Sequence, residues 1–135
     1  MTAVRESGPR AGPSAVEWVT LALICASSAL SALLELLFLG QFYVGSVIVP
    51  LVIVAAIAGN LALPRWGMSV IGAGKGAVLP VLCWLIVLLV PSLYNRPEGD
   101  LFVIASYGQE YAFYGLLLGG SLAGFATIVT RTVRL

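Results

Sequence analysis

From Phe42 to Leu63 the chain carries no charged side chain. At the rise of an α-helix that stretch is about 33 Å long, the thickness of a bilayer's hydrocarbon core. Three more apolar runs accompany it, and together they predict helices over Ser14 to Leu39, Phe42 to Leu63, Gly76 to Tyr94 and Ser106 to Arg131. A backbone surrounded by lipid must satisfy its own hydrogen bonds, which leaves closed barrels and helices as spanning structures, and runs of this length select helices. The expected fold is all-α: a polytopic membrane protein with four transmembrane helices forming one bundle over residues 14–135.

Composition excludes the alternative of a fold in water. The chain of 135 residues is 60% hydrophobic and 10% charged, with a mean hydropathy of +1.04, whereas soluble domains are about 25% charged. Too few charges remain to solvate the apolar surface that a small fold leaves exposed. Residues Met1 to Pro13 differ: Arg5, Glu6 and Arg10 stand among small residues and two prolines, a composition that predicts a flexible tail. The apolar run after Trp18 is longer than the core of a signal peptide and is read as a retained first helix.

Local chemistry marks the helix ends. Ser14 and Glu17 stand at the spacing of a capping box, as do Ser106 and Gln109, with Glu110 in the first turn of the fourth helix, where a carboxylate suits the positive end of the macrodipole. Gly40 and Gln41 leave so short a turn that the second helix must return beside the first, and Pro50 is expected to bend it. Pro64 and Arg65 read as its exit. The segment from Arg65 to Gly76 then reads as a glycine-rich connection, from which Lys75 snorkels. It lacks the first glycine and the final hydroxyl of a phosphate-binding loop, since Ser69 and Gly76 occupy those positions. Asn95 to Asp100 has turn chemistry, and residues 95–105 form the only sizeable outer loop.

Counting basic residues by side gives an orientation. Arg5, Arg10, Arg65, Lys75, Arg131 and Arg134 fall on one face of this topology and Arg96 on the other, which places both termini in the cytoplasm. The tryptophans Trp18 and Trp66 flank the basic face, while Phe42, Tyr43, Tyr94, Phe102, Tyr107 and Tyr111 gather at the opposite one.

Helices in lipid associate through close packing of small residues and through interhelical hydrogen bonds. Gly115 with Gly119 and Gly120 with Gly124 supply two G-x-x-x-G spacings in the fourth helix, and these serve either packing within the bundle or a homodimer face. Ser27, Ser31 and Glu35 make a polar stripe in the first helix, and Ala55 with Gly59 a small-residue step in the second.

Glu35 is the ionisable residue that capping does not explain, and an intramembrane carboxylate is a functional-site hypothesis. It lies about 6 Å before Leu39 at the outer end. Arg96 or tyrosine hydroxyls are its expected partners, within a polar cluster that also draws on Glu98, Asp100 and Glu110. The binding or coupling candidates are therefore Glu35, Arg96 and Glu110. No catalytic set is read: histidine is absent, Glu98 and Asp100 share a turn with no scaffold to fix their separation, and Cys25 and Cys83 each sit inside an apolar run as small hydrophobes, so neither a metal nor another cofactor is expected. With a net charge of +1, nucleic acid is not expected as a partner.

The stretch Arg96-Pro97-Glu98-Gly99-Asp100-Leu101-Phe102-Val103-Ile104-Ala105-Ser106-Tyr107-Gly108 resembles small four-helix integral membrane proteins of high-GC Gram-positive bacteria, to which no activity attaches. That resemblance implies a bacterial cytoplasmic (inner) membrane. Four helices with a glutamate in the first, here within Ser31-Ala32-Leu33-Leu34-Glu35-Leu36-Leu37-Phe38-Leu39, are also similar to the small multidrug resistance transporters, whose dimers couple protons to export of lipophilic cations. The family's glutamate lies near mid-helix, and Glu35 lies closer to the outer end. Two readings follow. The favoured one is an accessory or assembly subunit, not an enzyme, that packs against a larger membrane complex; the other is a small homo-oligomeric transporter or channel that uses Glu35.

Overall fold

The structure is a computed structural model that describes residues 12–39, 43–44, 47–48, 51–93 and 109–133. It is all-α in class, with helices α1 (Ala15–Leu37), α2 (Leu51–Ile71), α3 (Ala73–Leu93) and α4 (Gln109–Thr132). All four are long and apolar enough to cross a membrane, and the chain is a multi-pass membrane protein. The tail up to residue 11, Arg96 and the rest of the outer loop, the Ser106 cap, Pro50 and Arg134 lie outside the described residues.

Helix α1 starts where its capping box directs. The backbone N–H of Ser14 donates to Glu17 Oε2 at 2.6 Å, and the N–H of Glu17 donates to Ser14 Oγ at 3.3 Å. Its last turn tightens, with Phe38 N–H bonded to Leu34 O at 2.9 Å and Leu39 N–H to Leu36 O at 3.4 Å. Several hydroxyls along the spans bond back to their own helix, as in Thr20 to Val16 O at 2.8 Å and Thr130 to Ala126 O at 2.7 Å, which satisfies their polar hydrogens without water.

The second helix is displaced from its expected position by more than two turns. It begins at Leu51 rather than Phe42, and ahead of it Tyr43–Val44 pairs antiparallel with Val47–Ile48. These residues are aromatic or β-branched, which favours extended backbone, and a proline at position 50 disfavours helix at the residue before it. At the other end α2 passes through Pro64 and Arg65, expected as its exit, and continues to Ile71. Pro64 is buried among neighbouring helices, the setting in which a membrane helix tolerates the missing N–H.

The expected connection from Arg65 to Gly76 is therefore mostly helical. One residue joins α2 to α3: Gly72, at φ +108°, with its N–H bonded to Met68 O at 2.9 Å. That backbone region suits glycine alone without strain. Beyond the turn Gly67 of α2 and Gly76 of α3 lie backbone to backbone, so closely that a Cβ on either would overlap the other's carbonyl. The α3 helix consequently opens at Ala73, three residues before the expected start.

This hairpin is the centre of the bundle. Helices α1 and α4 each pack on both α2 and α3, and α1 and α4 do not touch one another among the described residues. Val52, Ala56, Asn60, Pro64 and Gly67 form the buried line of α2. A contiguous core joins Ala32, Leu36, Leu39, Val52, Ala56, Trp84, Leu88 and Leu116. Leu23, Leu30, Val54, Leu82, Ile86, Val90, Leu118, Leu122 and Phe125 point outward, an apolar surface that costs nothing in lipid.

One end of the bundle is basic. Lys75 Nζ lies 5.5 Å from the ring centroid of Trp18, a cation–π contact in place of a free snorkel. Arg65 and Arg131 line a common pocket at the same end. Starts of α1 and α3 and ends of α2 and α4 thus meet there, with Arg65, Lys75 and Arg131 among them.

Candidate functional site

Glu35 is 4% exposed, although it sits two residues from the end of α1. Its side chain points inward because the buried face of α1 runs through Leu21, Ser28, Ala32, Glu35 and Leu36. Both carboxylate oxygens are engaged. Ser31, one turn earlier, donates from Oγ to Glu35 Oε1 at 2.7 Å, and Trp84 of α3 donates from Nε1 to Glu35 Oε2 at 2.7 Å. The partners expected from sequence were Arg96, which lies outside the described residues, or tyrosine hydroxyls.

Trp84 is the residue that sequence reading missed. It is 1% exposed, at the middle of α3, and a buried indole N–H requires an acceptor. Its far ring edge rests on Gly120 of α4, where a Cβ would overlap the indole; the amide nitrogen of Asn60 lies 3.2 Å from the same point. Asn60, also buried, donates from Nδ2 to Ala56 O at 3.1 Å. Gly59 faces Ser31, whose Oγ would stand 3.6 Å from an added Cβ, an ordinary contact. Ser31, Glu35, Trp84 and Asn60 therefore form a polar seam beside the apolar core cluster.

Beside this seam a cleft of about 330 Å³ separates α1 from α2, lined by Ser31, Leu34, Glu35, Phe38, Leu51, Val52 and Ala55. Leu34, Phe38 and Leu51 at its rim are exposed, so it opens sideways into the lipid. A carboxylate has about four acceptor positions, of which two are taken here, and the cleft presents the remainder to an apolar molecule that carries a donor or a cation.

The stripe expected at Ser27, Ser31 and Glu35 is corrected by one residue at its start. Ser27 is exposed and donates to Leu23 O of its own helix at 2.9 Å, whereas Ser28 is buried and donates to Pro80 O of α3 at 2.7 Å. One residue is about 100° of helix, enough to exchange the two. Nearby, Cys25 and Cys83, expected as small hydrophobes within apolar runs, place half-buried free thiols near one another across α1 and α3.

The α4 glycines face inward. Gly115 and Gly119 abut Ile53 and Ile57 of α2; Gly120 and Gly124 abut Trp84 and Val81 of α3. Glu110 lies in the first turn of α4, at the end opposite Arg131. Among the described residues no group of three His, Cys, Asp or Glu side chains comes together to hold a metal ion.

A second lateral groove, of about 440 Å³, runs between α3 and α4 and is lined by Val78, Leu82, Leu85, Leu118, Leu122 and Phe125 with their neighbours. Of the helix pairs that touch, α3 and α4 meet least extensively. No known protein family, curated protein or solved structure matches the chain.

Proposed function

We propose that this chain is an accessory or assembly subunit of a larger membrane complex, and that it docks sideways through α3 and α4. The observation that carries the reading is the long apolar groove between those helices. Its lining is almost purely aliphatic and aromatic, as a helix–helix interface in lipid requires. The buried polar side chains support the same reading, since Ser28 and Glu35 bond across to α3 and so hold the subunit together, while Asn60 and Thr127 bond within their own helices. The proposed setting is a bacterial cytoplasmic membrane with both termini inside, supported by Arg65, Lys75 and Arg131 at one end.

Purification of the tagged protein from its native membrane into nanodiscs, followed by mass spectrometry, tests this. The expected result is one larger membrane protein at fixed stoichiometry, lost when Leu82→Gln and Leu122→Gln are introduced into the groove. A homogeneous oligomer of this chain alone would overturn it.

A second reading is a small homo-oligomeric carrier that uses the Glu35 cleft, favoured by one observation: the carboxylate forms part of the wall of a cavity open to lipid. On that reading Glu35→Gln abolishes flux of a lipophilic cation in proteoliposomes while the protein stays folded. Unaltered flux would dismiss it.

A further inference from the structure

Helices α2 and α4 run parallel as neighbours, and at their shared end Arg65 and Arg131 approach one pocket of about 240 Å³, whose other walls are Met68 and Ser69. Two guanidinium groups lining one small space give it a positive potential that favours an anion between them. No described carboxylate does so. Glu17 is held in the α1 capping box by Ser14, Glu35 is buried with Ser31 and Trp84, and Glu110 stands at the far end of α4. Neither arginine makes an ion pair or a hydrogen bond among the described residues. Lys75, the remaining described cation at this end, is turned toward Trp18.

We propose that Arg65 and Arg131 bind the phosphate group of an anionic phospholipid, taken from the leaflet around the basic end of the bundle. Guanidinium forks match phosphate oxygens two at a time, so two of them can clamp one phosphodiester from both sides. Ser69 donates its hydroxyl to Trp66 O at 2.7 Å; it therefore keeps that wall compact and leaves the binding to the arginines. The pocket also lies where a lipid can reach it with its tails in place. Trp66 is 61% exposed, Val129 39% and Val133 78%, so apolar side chains at this same end of α2 and α4 are open to acyl chains. Free inorganic phosphate has no use for such side chains, and basic pockets between transmembrane helices are suited to anionic headgroups.

Native mass spectrometry of the delipidated, intact protein tests the site, with phosphatidylglycerol, phosphatidylcholine and inorganic phosphate as separate additions. The expected result is retention of phosphatidylglycerol in preference to phosphatidylcholine, reduced about tenfold or more in the double variant Arg65→Gln/Arg131→Gln. Lys75→Gln should retain the lipid as the unaltered chain does, and Arg65→Lys/Arg131→Lys should fall between, because an ammonium keeps the charge and loses the fork. Full retention by the double glutamine variant overturns the proposal, as does an equal loss in Lys75→Gln. Displacement of the lipid by inorganic phosphate would overturn the lipid as the source of the anion. If circular dichroism shows the double variant unfolded, Arg65→Gln and Arg131→Gln singly decide the matter by the same readout.

Discussion

Helices α1 and α4 grip the same central hairpin from opposite sides by different physical means. α1 holds by hydrogen bonds: Ser28 donates to the Pro80 carbonyl and Glu35 accepts from the Trp84 indole. α4 holds by close approach, since Gly115, Gly119, Gly120 and Gly124 present bare backbone to Ile53, Ile57, Trp84 and Val81. Lipid offers both routes because it removes the hydrophobic drive between helices and leaves packing and polar bonds to replace it. The bonded side specifies one rotation of α1, because a donor and an acceptor must meet. The glycine side specifies one distance, because a Cβ at Gly120 would overlap the indole and one at Gly119 would be tightly packed. Trp84 belongs to both, with its nitrogen committed to α1 and its ring edge to α4.

The largest effect expected from breaking this arrangement is at that shared residue. Trp84→Ala removes a buried indole, worth about 3–5 kcal/mol, and leaves Glu35 Oε2 without its donor, a further cost of about 1–3 kcal/mol. Unfolding in mixed micelles by increasing SDS should show a loss at or above the lower of these figures; a change under about 1 kcal/mol would mean that α1 and α4 are not joined through Trp84. Next in size, Gly120→Ala places a methyl group against the indole and should cost about 1–3 kcal/mol in the same assay. Gly74→Ala serves as its comparison, since an added Cβ there meets nothing within 4 Å, and it should change stability by less than about 0.5 kcal/mol. Smallest is the hydroxyl pair. Ser28→Ala gives up an interhelical bond of about 0.6 kcal/mol, and Ser27→Ala, whose bond lies within its own helix, should be close to neutral. Equal effects for the two serines would show that α1 is rotated from the orientation described.

Fold class was legible because length and hydropathy alone decide it, and the four apolar runs from Trp18 onward leave no other class. Register was not. Apolar residues line both helices and the pair at Tyr43–Ile48, so hydropathy does not mark where α2 begins, and the proline and arginine at 64 and 65 are exit signals in water that a packed membrane helix absorbs. Among the several glycines from Gly67 to Gly76, only the backbone angle at Gly72 distinguishes the turn from close packing. The site was half legible. Glu35 was evident as a carboxylate without a local reason, and Ser31 as its neighbour one turn away. Trp84 was hidden because the acceptor for its indole N–H, Glu35, lies 49 residues earlier in the chain, and the apolar run around it gives no sign of a partner. The inward turn of Ser28 was likewise invisible, because both serines fit a polar stripe and only the position of α3 selects between them.

The absence of contact between α1 and α4 among the described residues has a consequence for how the protein is made. Chains are synthesised from the N-terminus, and their early parts can associate before the later ones exist. When α3 enters the membrane, every donor and acceptor that joins it to α1 is already present, so the Glu35–Trp84 and Ser28–Pro80 bonds can close on a three-helix intermediate. The last helix contributes none of these bonds. It arrives as a lid of glycines on a wall already built, and a nascent chain halted before Gln109 should carry the polar seam complete, with the edge of Trp84 facing the lipid until α4 covers it.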